Sequence, residues 1–176
     1  MGNQHRFTSS VQLHSAGWLL VLLHVLLGCG AIFGGLAMII DPSGEWLGMP
    51  VSLLADSPFN SFLIPGIILL FVLGVTPLIV AISLVSRPGS KLAEKLNPYP
   101  DRYWGWTFSL YIGFALMIWI MLQVYWLRSA AVVHLAYFAW AIAIQVVTLL
   151  PGVQKKYAVH ASELPFEDED RLDQTM

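Results

Sequence analysis

Residues 16–40 read AGWLLVLLHVLLGCGAIFGGLAMII and contain no Asp, Glu, Lys or Arg. About 20 apolar residues in a helix cross a hydrocarbon core of about 30 Å. Three further charge-free stretches follow, at about 61–86, 105–127 and 130–150. All four are continuous apolar runs, not the alternating segments of about ten residues that build a barrel. The expected fold is an all-α membrane protein, a four-transmembrane-helix bundle.

Composition agrees. The chain has 176 residues, 57% of them hydrophobic and 11% charged. Soluble domains average about 45–50% and about 25%. Mean hydropathy is +0.68. A net charge of −2 with no basic stripe excludes nucleic acid as a partner. The single cysteine, Cys29, excludes an intrachain disulfide and autonomous thiol oxidation linked to a quinone. There is no HExxH, no His pair at metal-ligand spacing and no Gly-rich phosphate loop. The expectation is a protein that is not an enzyme, with no catalytic residue, no metal and no cofactor.

Basic residues orient the bundle. Arg6 precedes the first span; Arg87, Lys91, Lys95 and Arg102 lie between the second and third; Lys155, Lys156 and Arg171 follow the fourth. Only Arg128 lies at the other end. The positive-inside rule therefore predicts cytoplasmic N and C termini and an outer 41–60 loop, in a multi-pass protein of the cell membrane. Trp18, Tyr103, Trp104 and Trp106 are the expected inner interface anchors, and Trp46, Tyr125 and Trp126 the outer ones. The expected organisation is a cytoplasmic segment at 1–15, a transmembrane domain at 16–157 and an acidic cytoplasmic tail at 158–176. Leu26-Leu27-Gly28-Cys29 resembles a loose lipobox, yet the chain stays apolar from Ala31 to Ile40, which argues against lipoprotein processing.

Small residues mark helix contacts. Gly30 and Gly34 form a GxxxG, and Ala31 with Gly35 a second small-xxx-small pair. Packing within one monomer is the first expectation for this face, and a homo-oligomer the second. Pro65 suits a first helical turn. Pro77 removes a hydrogen bond to the Leu73 carbonyl, so a kink beside Gly74 is expected. The loop DPSGEWLGMPVSLLADSPFN at 41–60 should open with a turn at Asp41-Pro42-Ser43-Gly44. A short helix should follow from Pro50, ending near Ser57-Pro58. Its apolar residues should lie on the membrane surface or cap the bundle. Residues 90–96 should form a short interfacial helix, with Leu92 and Leu96 on one face.

Polar residues inside spans are functional hypotheses by default. Counting depth along antiparallel helices pairs Gln123 with His134 near the outer end. The same count pairs His24 with Gln145 nearer the inner end. Hydrogen bonds that hold helices together are the first reading, with His24 and Gln145 joining Gly30, Gly34 and Gly35 as helix-packing residues. The sharper reading is an outer ligand pocket walled by Gln123, His134, Trp119, Tyr137 and Asp41, where His134 accepts or shuttles a proton.

Gly34-Gly35, DPSGEWLGMP, Leu53-Leu54, Ser57-Pro58-Phe59 and Ile64-Pro65-Gly66, with the later Trp119-Ile120, Gln123 and Pro151, resemble one family. It is an uncharacterised family of small bacterial four-span integral membrane proteins. The resemblance covers residues 28–157 and implies a bacterial membrane location, with no activity and no catalytic residue to carry over. Two functions follow as expectations. The first is a non-enzymatic structural or accessory component. The alternative is a binding protein or small transporter for a lipid-like or apolar ligand at the outer mouth of the bundle. The expected partners are the lipid bilayer, a second copy of the chain and that lipid-like ligand.

Overall fold

A computed structural model describes residues 4–128 and 131–159, with residues 4–14 described by backbone alone. Helix α1 spans Gln4–Ile40. The second span is built from α2 (Leu63–Ile68), a π-helical stretch (Leu69–Val75) and α3 (Thr76–Ser86). Short α4 (Lys91–Lys95) precedes α5 (Trp104–Leu127). Then come α6 (Val132–Leu149) and α7 (Pro151–Lys156). Among the described residues four helices are long and apolar enough to cross a membrane, at Ser15–Ile40, Leu63–Ser86, Trp104–Leu127 and Val132–Leu149. Four crossings place the two ends of the described chain at one end of the bundle, here the terminal end. Residues 41–60 lie at the other, the loop end.

The second span departs from a simple kink at Pro77. Proline has no N–H to give the Leu73 carbonyl, and the helix answers by widening into the π turns before it. The Thr76 N–H and the Thr76 hydroxyl both donate to the Phe71 carbonyl, five residues back; the hydroxyl bond is 2.8 Å. Pro77 then opens α3, where its missing N–H costs little.

Glycine decides how closely α1 meets this span, but not the glycines of the GxxxG. A Cβ on Gly35 would lie 2.8 Å from the Leu70 amide nitrogen and 2.9 Å from the Gly66 carbonyl oxygen. One on Gly28 would lie 2.9 Å from the Gly74 carbonyl oxygen. The seam thus runs through Gly28 and Gly35, two helical turns apart, facing Gly74 and Gly66. A Cβ on Gly34 would make ordinary contact with Leu69, and one on Gly30 would find its nearest atom 3.8 Å away. The expected Gly30–Gly34 contact is corrected accordingly.

The terminal end is tied by side chains expected at the lipid interface. Tyr103, Trp104 and Trp106 are buried, because each ring has a partner for its polar atom. The Tyr103 hydroxyl and the Trp104 indole N–H both donate to the Pro88 carbonyl at 3.0 Å. The Trp106 indole donates to the Thr148 carbonyl at 2.8 Å. Burial pushes the Tyr103 hydroxyl up to about 12. Residues 157–159 pair with 101–103: the Tyr103 N–H donates to the Tyr157 carbonyl and the Val159 N–H to the Asp101 carbonyl. The first residues of the segment expected as the acidic tail, 158–159, are therefore anchored, through Val159. The acidic run Glu167–Asp170 lies outside the described residues.

The short helix expected at 90–96 forms, as α4. Ser90 caps α4 by accepting from the Ala93 N–H, and Leu92 and Leu96 are exposed. Asn97 ends it, donating to the Arg102 carbonyl and accepting from the Thr107 hydroxyl.

The seam makes a discriminating prediction. Gly35→Leu forces a side chain against backbone and should cost about 1–3 kcal/mol or more. Gly30→Ala should stay within about 0.5 kcal/mol. Thermal unfolding in detergent, followed by circular dichroism, measures both; equal effects would contradict the seam.

Candidate functional site

The loop end packs less completely than the terminal end, and α6 shows why. From Ala131 to Trp140 none of its residues is buried; Val132 is 85% exposed and Leu135 70%. From Ala141 onward Ala141, Ile144, Gln145, Val147 and Thr148 are all buried. The helix is gripped over its second half and peripheral over its first.

A cavity of about 130 Å³ lies among the four spans in this loosened half. Gly30 and Gly34 of α1 form one wall, Leu69 and Leu73 of the π stretch a second, Trp119 and Gln123 of α5 a third, and Tyr137 of α6 closes it. Gln123 lies four residues from the end of α5, about 6 Å along the axis. The glycines expected to seal a helix contact instead supply the space.

Two neighbouring spaces share the same wall. A small cavity of about 40 Å³ under the loop is lined by Met38, Met49, Leu54, Phe62, Trp119 and Gln123, among others. A more open apolar groove of about 290 Å³ runs between the second span and α5, past Phe59, Val72, Ile118, Leu122 and Trp126, and includes Leu73 and Trp119. Trp119 borders all three spaces. The lining of the central cavity contains no charged side chain. Trp119, Gln123 and Tyr137 line it, and their polar groups have no hydrogen-bond partner among the described residues.

The five residues expected at a ligand pocket thus divide. Gln123, Trp119 and Tyr137 converge. His134 does not join them: its Nδ1 accepts the Ala131 N–H at 3.1 Å and so caps α6. Its ring borders a separate, open groove between α5 and α6, with Met121, Tyr125 and Leu135. Asp41 is also elsewhere. Its carboxylate accepts the Ser43 hydroxyl and N–H and, at 2.8 Å, the Trp46 N–H. The Ser43 hydroxyl bond, then the Trp46 N–H, hold its carboxyl below the ordinary value of 3.8. Asp41 shapes the loop.

The expected His24–Gln145 pair is not formed either. His24 is fully buried and donates from Nδ1 to the Leu20 carbonyl at 2.8 Å; that oxygen can only accept, so Nδ1 carries the proton. Its Nε2 lacks a partner among the described residues. Gln145 donates to the Leu110 carbonyl at 3.0 Å and fills the space over Gly113. Each binds a backbone carbonyl because that acceptor lies within reach of its own helix turn or its neighbour.

The loop itself caps the bundle. Leu54 is buried with Met38 and Phe62, and Met49, Leu53 and Phe59 pack on them. Trp46 is 71% exposed, and Val51 and Leu47 are also exposed. The expected capping of the bundle is therefore met by Leu54, Met49, Leu53 and Phe59, while Trp46, Leu47 and Val51 are left exposed. The turn at Asp41–Gly44 forms, while the helix after Pro50 is 3-10 and spans Val51–Leu54. Another 3-10 turn, Glu45–Leu47, was not expected. Arg128 pairs with Asp56 at 2.6 Å, joining the end of α5 to the loop in an exposed ion pair.

Comparison with protein-family models, with curated proteins and with solved structures finds no match for this chain. The functional reading rests on the site's own geometry.

The Asp41 turn has a pH signature. A carboxyl whose folded-state pKa is depressed contributes stability above its unfolded value, and loses it as pH falls through the folded one. Hydrogen exchange at the Trp46 amide, corrected for intrinsic rate, should accelerate below about 3.8. Asp41→Ala should show that acceleration already at pH 7. Unchanged protection in the variant would remove Asp41 from this role.

Proposed function

We propose that this is a non-enzymatic, multi-pass protein of the bacterial cell membrane, its termini cytoplasmic, that binds a neutral lipid-like molecule in the outer half of its bundle. One observation carries the reading: three residues with unpartnered polar groups, Trp119, Gln123 and Tyr137, border one uncharged cavity.

The cavity limits the guest. A volume of about 130 Å³ is close to that of an apolar cavity, about 150 Å³, that accepts benzene. It suits a small ring or a chain end. A hydroxyl or carbonyl on that guest would satisfy the Gln123 carboxamide, which both donates and accepts. A charged head would find no counter-charge there. The rest of the molecule would lie in the apolar groove between the second span and α5, once Leu73 or Trp119, which border both spaces, gives way. Its access is then lateral, from the lipid. The uneven distribution of Lys and Arg supports the orientation. Nothing in this geometry favours a transport path through one monomer.

Native mass spectrometry of the protein released from lipid tests the reading. The wild type should retain a neutral molecule at about one per chain. Gly34→Leu, which fills the cavity, and Gln123→Leu, which removes its amide, should each lower that occupancy about tenfold at unchanged thermal stability. A wild type that retains nothing specific would overturn ligand binding and leave the structural or accessory role.

A further inference from the structure

The terminal end holds two cations whose charges no described carboxylate meets. Arg87 ends the second span with its backbone in the left-handed region, at φ 49°. That conformation is uncommon for a residue other than glycine. Its Nη2 donates to the Lys156 carbonyl at 2.6 Å, and its guanidinium lies 5.1 Å from the centre of the Tyr157 ring. Lys156 approaches the same ring, its Nζ 5.3 Å from the centre.

The position of Lys156 is specific. Its side chain crosses α1 at Gly17, where a Cβ would come 2.5 Å from Nζ. Glycine thus provides the slot in which the ammonium lies. Burial, and then the charge of Arg87, lower the Lys156 pKa. The arrangement therefore brings two like charges together, partly desolvates one and places the other on an unfavourable backbone.

Among the described residues the ion pairs join Arg102 to Asp101 and Arg128 to Asp56, and neither involves this pair. The nearby Glu94 carboxylate accepts from Asn97. A carbonyl and an aromatic face offer Arg87 and Lys156 only partial negative charge. Arg87 spends one of its five N–H donors on the Lys156 carbonyl, and the others suit a phosphate. The site lies where an apolar span ends, at the depth of lipid headgroups.

We propose that Arg87 and Lys156, over Tyr157 and beside Gly17, form a binding site for a phosphate-bearing anion, chiefly the headgroup of an anionic phospholipid. The site is separate from the cavity at the loop end and independent of its ligand. Bound phosphate compensates both cations, and its lipid chains extend along the second span. Tyr157 backs the site and is itself held, its hydroxyl donating to the Leu84 carbonyl at 3.0 Å. The contrast with Lys91 and Lys95 is geometric: both are exposed on α4, and neither has such a seat.

Native mass spectrometry of the full chain in detergent, titrated with phosphatidylglycerol or phosphatidylcholine, tests the site. The wild type should bind phosphatidylglycerol about tenfold more tightly. Arg87→Gln with Lys156→Gln should abolish that preference and leave phosphatidylcholine binding unchanged. Arg87→Lys should retain most of it. Gly17→Ala, which keeps every charge but pushes the ammonium from its slot, should lower it several-fold. Lys91→Gln with Lys95→Gln should leave it intact. Inorganic phosphate at millimolar concentration distinguishes the sources: displacement of the lipid shows a site that also takes the free anion, and no displacement shows a headgroup site. No preference in the wild type, as when the chain's own acidic tail fills the site, would overturn the proposal. So would an equal loss in the Lys91/Lys95 variant, which would mean diffuse charge attraction.

Discussion

Everything in this bundle depends on how closely α1 can approach the second span. In lipid, apolar surfaces gain little by leaving their solvent, so helices associate through close packing and interhelical hydrogen bonds. Gly28 and Gly35 allow backbone to meet backbone at Gly74 and Gly66. This seam sets the rotation of α1. With Gly28 and Gly35 set against the second span, Gly30 faces Tyr137 of α6 and Gly34 lies beside Leu69, and both line the cavity. Around them only Leu69 and the Tyr137 hydroxyl come within ordinary contact distance, and no backbone approaches as it does at Gly28 and Gly35, so the cavity follows. One glycine-rich helix thus makes a tight interface on one face and an opening on the next.

The second consequence is an uneven bundle. At the terminal end, indole and phenol groups reach carbonyls across the gaps between elements: Trp106 to Thr148, Tyr157 to Leu84, and Tyr103 and Trp104 to Pro88. These bonds fasten the start of α5, the end of α6 and the end of α3 together. At the loop end α6 has no comparable fastening before Trp140, whose indole N–H donates to the Leu23 carbonyl. The closure there comes from the loop, through Leu54 and Phe62 on Met38, and from the Phe59 ring set edge-on against Trp126. A bundle held at one end and lidded at the other can keep a small interior space without losing its helices.

The four spans were legible because lipid imposes a simple rule. An uncharged apolar run of sufficient length satisfies its own backbone as a helix, and each expected span matches an observed one to within two residues at either described end. The interfacial helix at 91–95 and the turn at Asp41 were legible for a similarly local reason, since Ser90 and Asp41 each bond amides a few residues away. The site was legible only in part. Depth counting paired Gln123 with His134, whereas the cavity joins Gln123 to Trp119 and Tyr137, two other residues expected at the pocket. It could not say which way His134 faces, because depth carries no information about rotation around the helix. Nor could it show that Tyr103, Trp104 and Trp106 are buried. An interfacial aromatic and a buried one with a carbonyl partner look identical in sequence.

Span length, count and charge distribution are properties of the chain itself, and they determined a four-crossing membrane bundle before any contact was known. The tertiary structure decided the rest. It chose Gly28 and Gly35 over Gly30 and Gly34 as the seam, turned a proline kink into a π-helical stretch, and separated His134 and Asp41 from the cavity. It also brought Arg87 to Lys156 across a sequence separation of 69 residues. The reason is common to all four. Transfer from water to lipid depends on how much apolar chain a segment contains. Close packing and hydrogen bonding depend on which face each helix presents, and that is fixed only when its neighbours are in place.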